Sequence, residues 1–227
     1  MSVSKQSEPS SIEAYQPGFV VVEGPIGVGK TSLARRLSEV FNCELLLEEP
    51  DENPFLERFY RSRKRHALPT QLFFLFQRVK KFEGFKQSDL FRPGRVSDFL
   101  LEKDMLFAQL NLDDDEFRLY QRVYEQVAPE VVAPDLVIYL QAPVEVLLER
   151  IRRRGVDYER YIEPEYLEQL VDAYTGFFHG FSGAPLLIIN VADINFVDRD
   201  DDFRTLLDHI KTIKSGRHYF NPLAGPA

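Results

Sequence analysis

The sequence contains no tryptophan, two methionines and one cysteine in 227 residues. Because Cys43 has no partner for an intramolecular disulfide, and free thiols are typical of reducing compartments, we expect a cytoplasmic protein. No apolar run approaches the roughly 18 residues that cross a bilayer. The serine-rich start, Met1 to Pro17, also lacks an apolar segment of signal-peptide length. We therefore expect neither a membrane span nor a secretion signal.

Positive charge is scarce as well, with 28 lysines and arginines against 36 acids and a net charge of −8. No sequence-wide positive field exists to attract a polyanion, so we expect no nucleic-acid partner. The length and the 44% hydrophobic content suit one globular domain. We predict that domain over residues 17–215, between a disordered polar tail (1–16) and a flexible C-terminal tail (216–227).

Apolar runs alternate with helical patterns from Gly18 onward, which favours an α/β fold with a five-stranded parallel sheet flanked by helices. The predicted strands are Phe19–Glu23, Glu44–Glu48, Arg95–Asp98, Leu136–Leu140 and Leu186–Asn190. One helix is predicted by apolar residues at helical spacing, namely Leu33, Leu37, Val40 and Phe41. Asn53-Pro54 is typical of a helix start. The acidic clusters 113–116 and 198–202 are expected to cap helices rather than to hold metals.

Directly after the first predicted strand, Gly24 to Thr31 has the spacing glycine, four residues, glycine, lysine and threonine. Glycines let consecutive backbone N–H groups turn inward around phosphate oxygens. Lys30 adds a point charge, and Thr31 offers a hydroxyl ligand for Mg²⁺. The motif therefore predicts a nucleoside triphosphate site, formed by Gly24, Gly27, Val28, Gly29, Lys30 and Thr31.

Two further clusters indicate what the phosphate site does. Glu48-Glu49-Pro50 closes the second predicted strand, where ligands bind in open α/β sheets, and a carboxylate there can accept the proton of an attacking hydroxyl. In the segment 149–155, Arg150 and Arg154 share one helical face and can point at one phosphate. Such an arginine-rich lid neutralises charge on a transferring phosphoryl group.

Together these motifs resemble the deoxyribonucleoside kinases of the deoxycytidine/deoxyguanosine/deoxyadenosine kinase group. The likeness spans Gly18 to Ile210 and includes GPIGVGKT, EEP, NPFLERFY, PTQLFFLFQR, LFA and the arginine lid followed by Glu159 and PEYL. The resemblance implies a P-loop kinase fold, ATP as phosphoryl donor with Mg²⁺, and a homodimer. It also implies that Glu49 is the general base for the deoxyribose 5′-hydroxyl, acting with Lys30, Arg150 and Arg154.

The same resemblance implies the substrate contacts. Gln71 would bind the edge of the base, while Phe107 would stack on its face. Tyr60 and Glu159 would hold the 3′-hydroxyl. Arg78 matches a base-selecting position, and Asn195-Phe196 falls where the loop around the donor adenine is expected.

The sequence departs from the family pattern at the end of the third strand, where Ser97-Asp98-Phe99 lacks the arginine that usually follows the acid. Either Ser97 or Asp98 takes the place of that acid. Either Asp104 or Lys103 takes the place of a base-selecting aspartate. A lid arginine is missing too, since Val156 stands where a third is often found. The candidate replacement cations are Arg92, Arg95, Arg152 and Arg153.

The sequence thus predicts an enzyme that phosphorylates a deoxyribonucleoside with ATP in nucleotide salvage. Arg78 and Asp104 favour a base with an exocyclic amino group over thymine. One alternative is a nucleoside monophosphate kinase resembling thymidylate kinase, against which Glu49 counts, because an anionic acceptor needs no base. The other is a nucleotide-binding regulatory protein with little turnover, which the break at 97–99 favours.

Overall fold

The computed structural model describes residues 17–86, 94–130, 132–192, 194–196 and 199–221. Within these residues the chain forms one sheet of six strands, and all neighbouring strands are parallel. The strands are β1 (Phe19–Glu23), β2 (Glu44–Leu46), β3 (Arg95–Ser97), β4 (Leu136–Gln141), β5 (Leu186–Asn190) and β6 (Arg217–Phe220). Their order across the sheet is β2-β3-β1-β4-β5-β6. The α/β prediction is confirmed.

The number of strands differs from the prediction of five. β6 pairs with β5, so that Arg217 lies opposite Leu186 and Phe220 opposite Ile189. Only Phe220 of this strand is buried, because an edge strand has one neighbour and little cover. Its sequence therefore lacks the apolar run of a central strand. The segment predicted as a flexible C-terminal tail contributes this strand, while 222–227 and the predicted tail 1–16 lie outside the described residues.

Helices cover the sheet on both sides, as the sequence predicts. Within the described residues they are α1 (Lys30–Phe41), α2 (Leu56–Arg61), α3 (Arg63–Lys86), α4 (Lys103–Asn111), α5 (Asp114–Val127), α6 (Val144–Arg154), α7 (Pro164–Gly180) and α8 (Asp200–Ile210). Short 3₁₀ helices span Pro50–Glu52 and Asp157–Tyr161. No helix in this described part is long and apolar enough to cross a membrane.

Helix starts agree with the sequence where a side chain caps the backbone. Asp113 accepts hydrogen bonds from the N–H groups of Asp115 at 3.0 Å and Glu116 at 2.9 Å, which confirms the predicted cap of α5. Asn53 instead accepts from the N–H of Phe55 at 3.1 Å, and α2 begins at Leu56. The predicted start at Asn53-Pro54 is therefore a turn that precedes the helix.

The core lies on both faces of the central strands. All of β1 and the first five residues of β4 are buried. α1 packs Leu33, Leu37 and Phe41 against them, while Val40, at the margin of the predicted apolar face, is exposed. Because the strands are parallel, their carboxyl ends meet at one edge of the sheet. That edge brings Glu23, the segment after β2 and Asp98 close to the start of α1.

Candidate active site

The predicted phosphate-binding motif forms the turn between β1 and α1. Gly24, Gly27 and Gly29 have φ values of +147°, +82° and +105°, which residues with a side chain rarely adopt. A Cβ on Gly27 would also lie 2.8 Å from Ile151 Cγ1, so the loop packs too closely against α6 for a larger residue. The local sequence therefore dictates a loop whose backbone can surround an anion at the N-terminus of α1.

Lys30 is the first residue of α1, and its ammonium lies over this loop. Its Nζ donates to the carbonyl oxygens of Gly24 at 2.9 Å and Pro25 at 3.2 Å. Burial, followed by the nearby charge of Lys103, lowers the pKa of Lys30. These bonds keep the cation where the phosphates of a nucleotide would lie.

Asp98 connects the phosphate-binding loop with the segment after β2. Its Oδ2 accepts the hydroxyl hydrogen of Thr31 at 2.5 Å, and its Oδ1 accepts from the backbone N–H of Glu48 at 2.7 Å. Burial raises the pKa of Asp98. The hydroxyl of Ser97 bonds instead to the backbone of Phe99. Of the two residues that could take the place of the family's acid, Asp98 therefore has the contacts to do so.

The two glutamates of the EEP motif have different surroundings. Glu48 is largely buried, and its Oε1 accepts from Arg78 Nε at 2.8 Å and lies 3.5 Å from Lys103 Nζ. Burial raises the pKa of Glu48, but the charges of Arg78 and Lys103 outweigh that effect and lower it to about 2. Glu49 pairs with Lys81, and 53% of its side chain is exposed.

In this structure Glu48, rather than the predicted base Glu49, lies beside the buried cations. Glu48, and not Glu49, is close enough to the phosphate-binding loop for its charge to raise the pKa of Lys30. The reason is the strand end: β2 stops at Leu46, two residues before the predicted end, and a 3₁₀ helix begins at Pro50. The side chain of Glu49, next to the proline, consequently pairs with Lys81 and is half exposed.

α3 and α4 supply the side chains predicted to contact the base. Gln71 is buried, and its amide forms no hydrogen bond with any residue that the structure describes. Arg78 pairs with the fully buried Asp104. Phe107 meets Tyr174 edge to face, with ring centroids 6.0 Å apart. An amide, a charged pair and an aromatic ring are the groups with which proteins recognise a nucleobase.

Sequence reasoning did not include Lys103 among the candidate replacement cations. Its Nζ lies 3.2 Å from Glu23 Oε1 and also reaches Glu48. Among the four candidates, Arg95 pairs with Glu44 near the amino end of β3, away from the site. Arg152 is exposed, and Arg153 lines a cavity beside the phosphate-binding loop. Arg92 lies outside the described residues. The sequence did contain a signal for Lys103: a lysine at the first position of a helix is unfavourable, because its charge opposes the helix dipole.

The predicted lid, residues 149–155, forms the last turns of α6, which ends at Arg154 before Gly155 with φ +70°. Arg154 forms a bidentate pair with Glu159, in which Nε donates to Oε2 at 3.0 Å and the terminal nitrogen contacts Oε1. Tyr60 stacks against Tyr158 with centroids 6.1 Å apart. Burial, then Tyr166 and Glu159, raise the pKa of Tyr60 well above its usual value, so its phenol remains a donor. The structure thus brings three predicted site residues together.

Arg150, the other predicted lid arginine, bonds to two backbone carbonyls beside the phosphate-binding loop. Its guanidinium donates to the carbonyl oxygens of Val28 at 3.0 Å and Val191 at 2.7 Å. Arg150 therefore connects the phosphate-binding loop with the residue after β5. Arg150 also lines a cavity that begins at the phosphate-binding loop.

A cavity of about 490 Å³ extends from the phosphate-binding loop along α6. Arg150, Arg153 and Arg154 line it together with Asn195 and Phe196, the pair predicted near the donor adenine. The carbonyl oxygen of Phe196 accepts from Arg36, and the N–H of Asn195 donates to Asp202 at 3.1 Å. α1 and α8 thereby fix this loop at the far end of the cavity.

The sheet order, the glycine-rich turn before α1 and the cationic lid define a phosphate-binding-loop kinase. The family model described as deoxynucleoside kinase matches residues 20–215, and the chain belongs to this family. It is therefore a phosphotransferase, which agrees with the sequence-based hypothesis and favours neither of the two alternatives.

Curated relatives carry names within the same family. The chain is 33% identical over 201 residues to a deoxyguanosine kinase of Bacillus subtilis, covering 86% of this chain and 97% of that protein. It is 28% identical over 205 residues to a deoxyadenosine/deoxycytidine kinase of the same organism, covering 86% and 92%. A deoxyadenosine kinase of Dictyostelium discoideum is 30% identical over 232 residues, covering 99% and 91%.

Solved structures confirm the fold. A deoxyadenosine kinase from M. mycoides with bound dATP superposes with a TM-score of 0.74 at 23% identity, covering 86% of this chain and all of that one. The same enzyme with dCMP and dCDP bound gives a TM-score of 0.72.

Proposed function

We propose that the chain transfers the γ-phosphoryl group of ATP to the 5′-hydroxyl of a deoxynucleoside whose base carries an exocyclic amino group, a purine in the first place. The observation that carries this proposal is the environment of Glu48. This largely buried carboxylate sits between Arg78 and Lys103, and its backbone is joined to Thr31 of the phosphate-binding helix through Asp98. A proton acceptor and a phosphate site are thus held by one network.

In this proposal Glu48, rather than Glu49, receives the proton of the 5′-hydroxyl. A carboxylate with a pKa of about 2 is ionised at neutral pH and can accept a hydrogen bond from the hydroxyl. It takes the proton late, since the hydroxyl becomes strongly acidic only as its bond to phosphorus forms. Most catalysis then comes from positioning and from charge neutralisation.

The donor phosphates are proposed to bind the loop from Gly24 to Lys30, with the adenine toward Asn195 and Phe196. Mg²⁺ fits the oxygen donors at this place, because the Thr31 hydroxyl and the Asp98 carboxylate lie side by side at the start of α1. When bound, the ion would neutralise negative charge on the phosphates. Thr31 would hold it directly, and Asp98 would orient that hydroxyl.

Recognition of the base is proposed to involve Gln71 and the Arg78–Asp104 pair. The Gln71 amide has no partner among the described residues, and the edge of a base would supply both a donor and an acceptor for it. Asp104 can accept from an exocyclic amino group, which guanine, adenine and cytosine have and thymine lacks. Phe107 would cover the ring. The names of the relatives, which include deoxyguanosine and deoxyadenosine kinases, support a purine substrate.

The lid residues are proposed to act on either side of the reacting oxygen. Tyr60 and Glu159 would hold the 3′-hydroxyl, because a neutral phenol and an ionised carboxylate can donate to and accept from an alcohol. Arg154 and Arg150 would face the phosphates from the donor cavity. We also propose a cytoplasmic homodimer. Light scattering of the purified chain tests the oligomeric state.

One assay set tests the function. Purified protein is incubated with Mg·ATP and each of the four deoxynucleosides, and separately with dTMP. We expect phosphorylation of deoxyguanosine or deoxyadenosine. Turnover of dTMP alone would instead indicate a monophosphate kinase, and ATP binding without transfer would indicate a regulatory protein.

The base is tested by a matched pair of variants. Glu48→Gln removes the proton acceptor and should lower kcat by roughly 10²- to 10⁴-fold. Glu49→Gln removes only an exposed ion pair with Lys81 and should leave kcat close to that of the wild type. The reverse order of effects would return the role to Glu49.

A further inference from the structure

At the acceptor end of the site, around Glu48, the buried carboxylates carry more negative charge than Arg78 can neutralise. Four carboxylates lie there, those of Glu23, Glu48, Asp98 and Asp104. Arg78 is occupied by two of them, Glu48 and Asp104. A phosphoryl group entering this region would add further negative charge, so transfer toward Glu48 requires another cation on the acceptor side.

Lys103 lies where such a cation is needed. It is the first residue of α4, its side chain is 3% exposed, and its Nζ is 3.2 Å from Glu23 and 3.5 Å from Glu48. Glu23 directly precedes the phosphate-binding loop, and Glu48 is the proposed base. The ammonium therefore sits between the two groups that flank the path of the phosphoryl transfer.

Lys103 is not needed to satisfy Glu23. The two oxygens of that carboxylate already accept from the N–H groups of Gly24 at 3.0 Å and Leu100 at 2.7 Å, and from the hydroxyl of Tyr174 at 3.0 Å. Three donors keep Glu23 hydrogen-bonded if the ammonium turns toward a phosphate. Lys103 can therefore change partners while Glu23 keeps its hydrogen bonds.

Neither Lys30 nor the residue at position 99 supplies this cation. Lys30 is held by loop carbonyls on the donor side. Phe99, the residue after Asp98, is fully buried and packs edge to face on Phe82 with centroids 5.5 Å apart. A side chain at position 99 consequently points into the core.

We propose that Lys103 is a further catalytic residue, whose ammonium contacts the transferring phosphoryl group from the acceptor side. This inference rests on the proposed function. In the step, a bond forms between the 5′-oxygen and the γ-phosphorus, and the bond from that phosphorus to the bridging oxygen of ATP breaks. Its electron pair stays on ADP, and the hydroxyl proton passes to Glu48. Lys103 neutralises charge on the phosphoryl oxygens and keeps its own protons.

The test compares Lys103→Met, Lys103→Arg and the control Lys81→Met, with kcat and KM measured for both substrates. Lys103→Met should lower kcat by roughly 10²- to 10³-fold with little change in the KM for ATP. Lys103→Arg should recover most of kcat, because a guanidinium also donates to phosphate oxygens. Lys81→Met removes a cation that pairs with the half-exposed Glu49 and should behave like the wild type. An unchanged kcat in Lys103→Met, or a failure of arginine to recover it, would overturn the proposal.

A double variant separates catalysis from folding. Glu23→Gln/Lys103→Met removes the buried acid and its cation together, so no unpaired charge remains. This double variant should unfold at the same temperature as the wild type and be stabilised by ATP to the same extent. Its kcat should nevertheless remain low. A double variant with recovered kcat would show that Lys103 serves only to balance Glu23. Failure of the wild type to phosphorylate any deoxynucleoside would refute the proposed function itself, whereas an active wild type with a normal Lys103→Met refutes only this inference.

Discussion

Thr31 donates its hydroxyl hydrogen to Asp98 at 2.5 Å, and this bond joins the first turn of α1 to the end of β3. The second oxygen of Asp98 holds the backbone N–H of Glu48 at 2.7 Å. One carboxylate thus couples the phosphate-binding helix to the acceptor loop. Changes at Thr31 should therefore affect both the metal requirement and the rate of transfer.

The first prediction concerns that hydroxyl. Thr31→Val should raise the Mg²⁺ concentration at half-maximal activity and lower kcat, because it removes the proposed metal ligand and leaves Asp98 without its donor. Thr31→Ser keeps the hydroxyl and should resemble the wild type. Titration of activity with Mg²⁺ measures both. Equal behaviour of the two variants would show that the hydroxyl has no part in metal binding.

A second prediction separates close packing from backbone strain in the phosphate-binding loop. Alanine at Gly27 or Gly29 would have a positive φ and should cost about 1 to 3 kcal/mol. Only at Gly27 would the new Cβ also meet neighbours, Ile151 Cγ1 at 2.8 Å and Leu147 O at 2.9 Å. Gly27→Ala should therefore lose more thermal stability and more ATP affinity than Gly29→Ala. Calorimetry and nucleotide titration give the comparison, which an equal loss would contradict.

The third prediction uses the Arg154–Glu159 pair. Arg154→Lys keeps the charge but loses the bidentate geometry, and it should lower kcat by at least about tenfold. Arg152→Lys changes an exposed arginine of the same helix and should leave kcat unchanged. Glu159→Gln should act mainly on the KM for the deoxynucleoside, since this carboxylate is proposed to hold the 3′-hydroxyl. Steady-state kinetics with both substrates would expose an effect on the KM for ATP instead.

The fourth prediction is a pH dependence of stability. The folded-state pKa of Glu48 is about 2 against an ordinary value of 4.5, so its ionised form stabilises the folded chain. This contribution, on the order of 3 kcal/mol, is complete above pH 4.5 and disappears as the pH falls toward 2. The free energy of unfolding should fall more steeply over that interval for the wild type than for Glu48→Gln. Denaturant titrations at several pH values measure the difference, and parallel curves would contradict it.

Much of the fold was predictable because it rests on local patterns. The apolar runs of β1, β4 and β5 are buried on both faces, so their sequences lack the alternation that obscures many strands. The phosphate-binding loop depends on three glycines with positive φ, which the motif itself specifies. β6 was not predicted, because it lies at the edge of the sheet and is mostly exposed, and its sequence has no distinctive hydrophobic pattern.

The sequence by itself determined the class of the sheet, the phosphate-binding loop and the cap at Asp113. Only the tertiary structure decided which of two adjacent glutamates is buried and which cations accompany it. Glu48 and Glu49 are equivalent as neighbours in a sequence, but the end of β2 and the contacts from α3 and α4 bury the first and expose the second. These surroundings depend on residues up to 55 positions away, as in the Glu48–Lys103 contact. Local sequence patterns contain no information about contacts between residues so far apart.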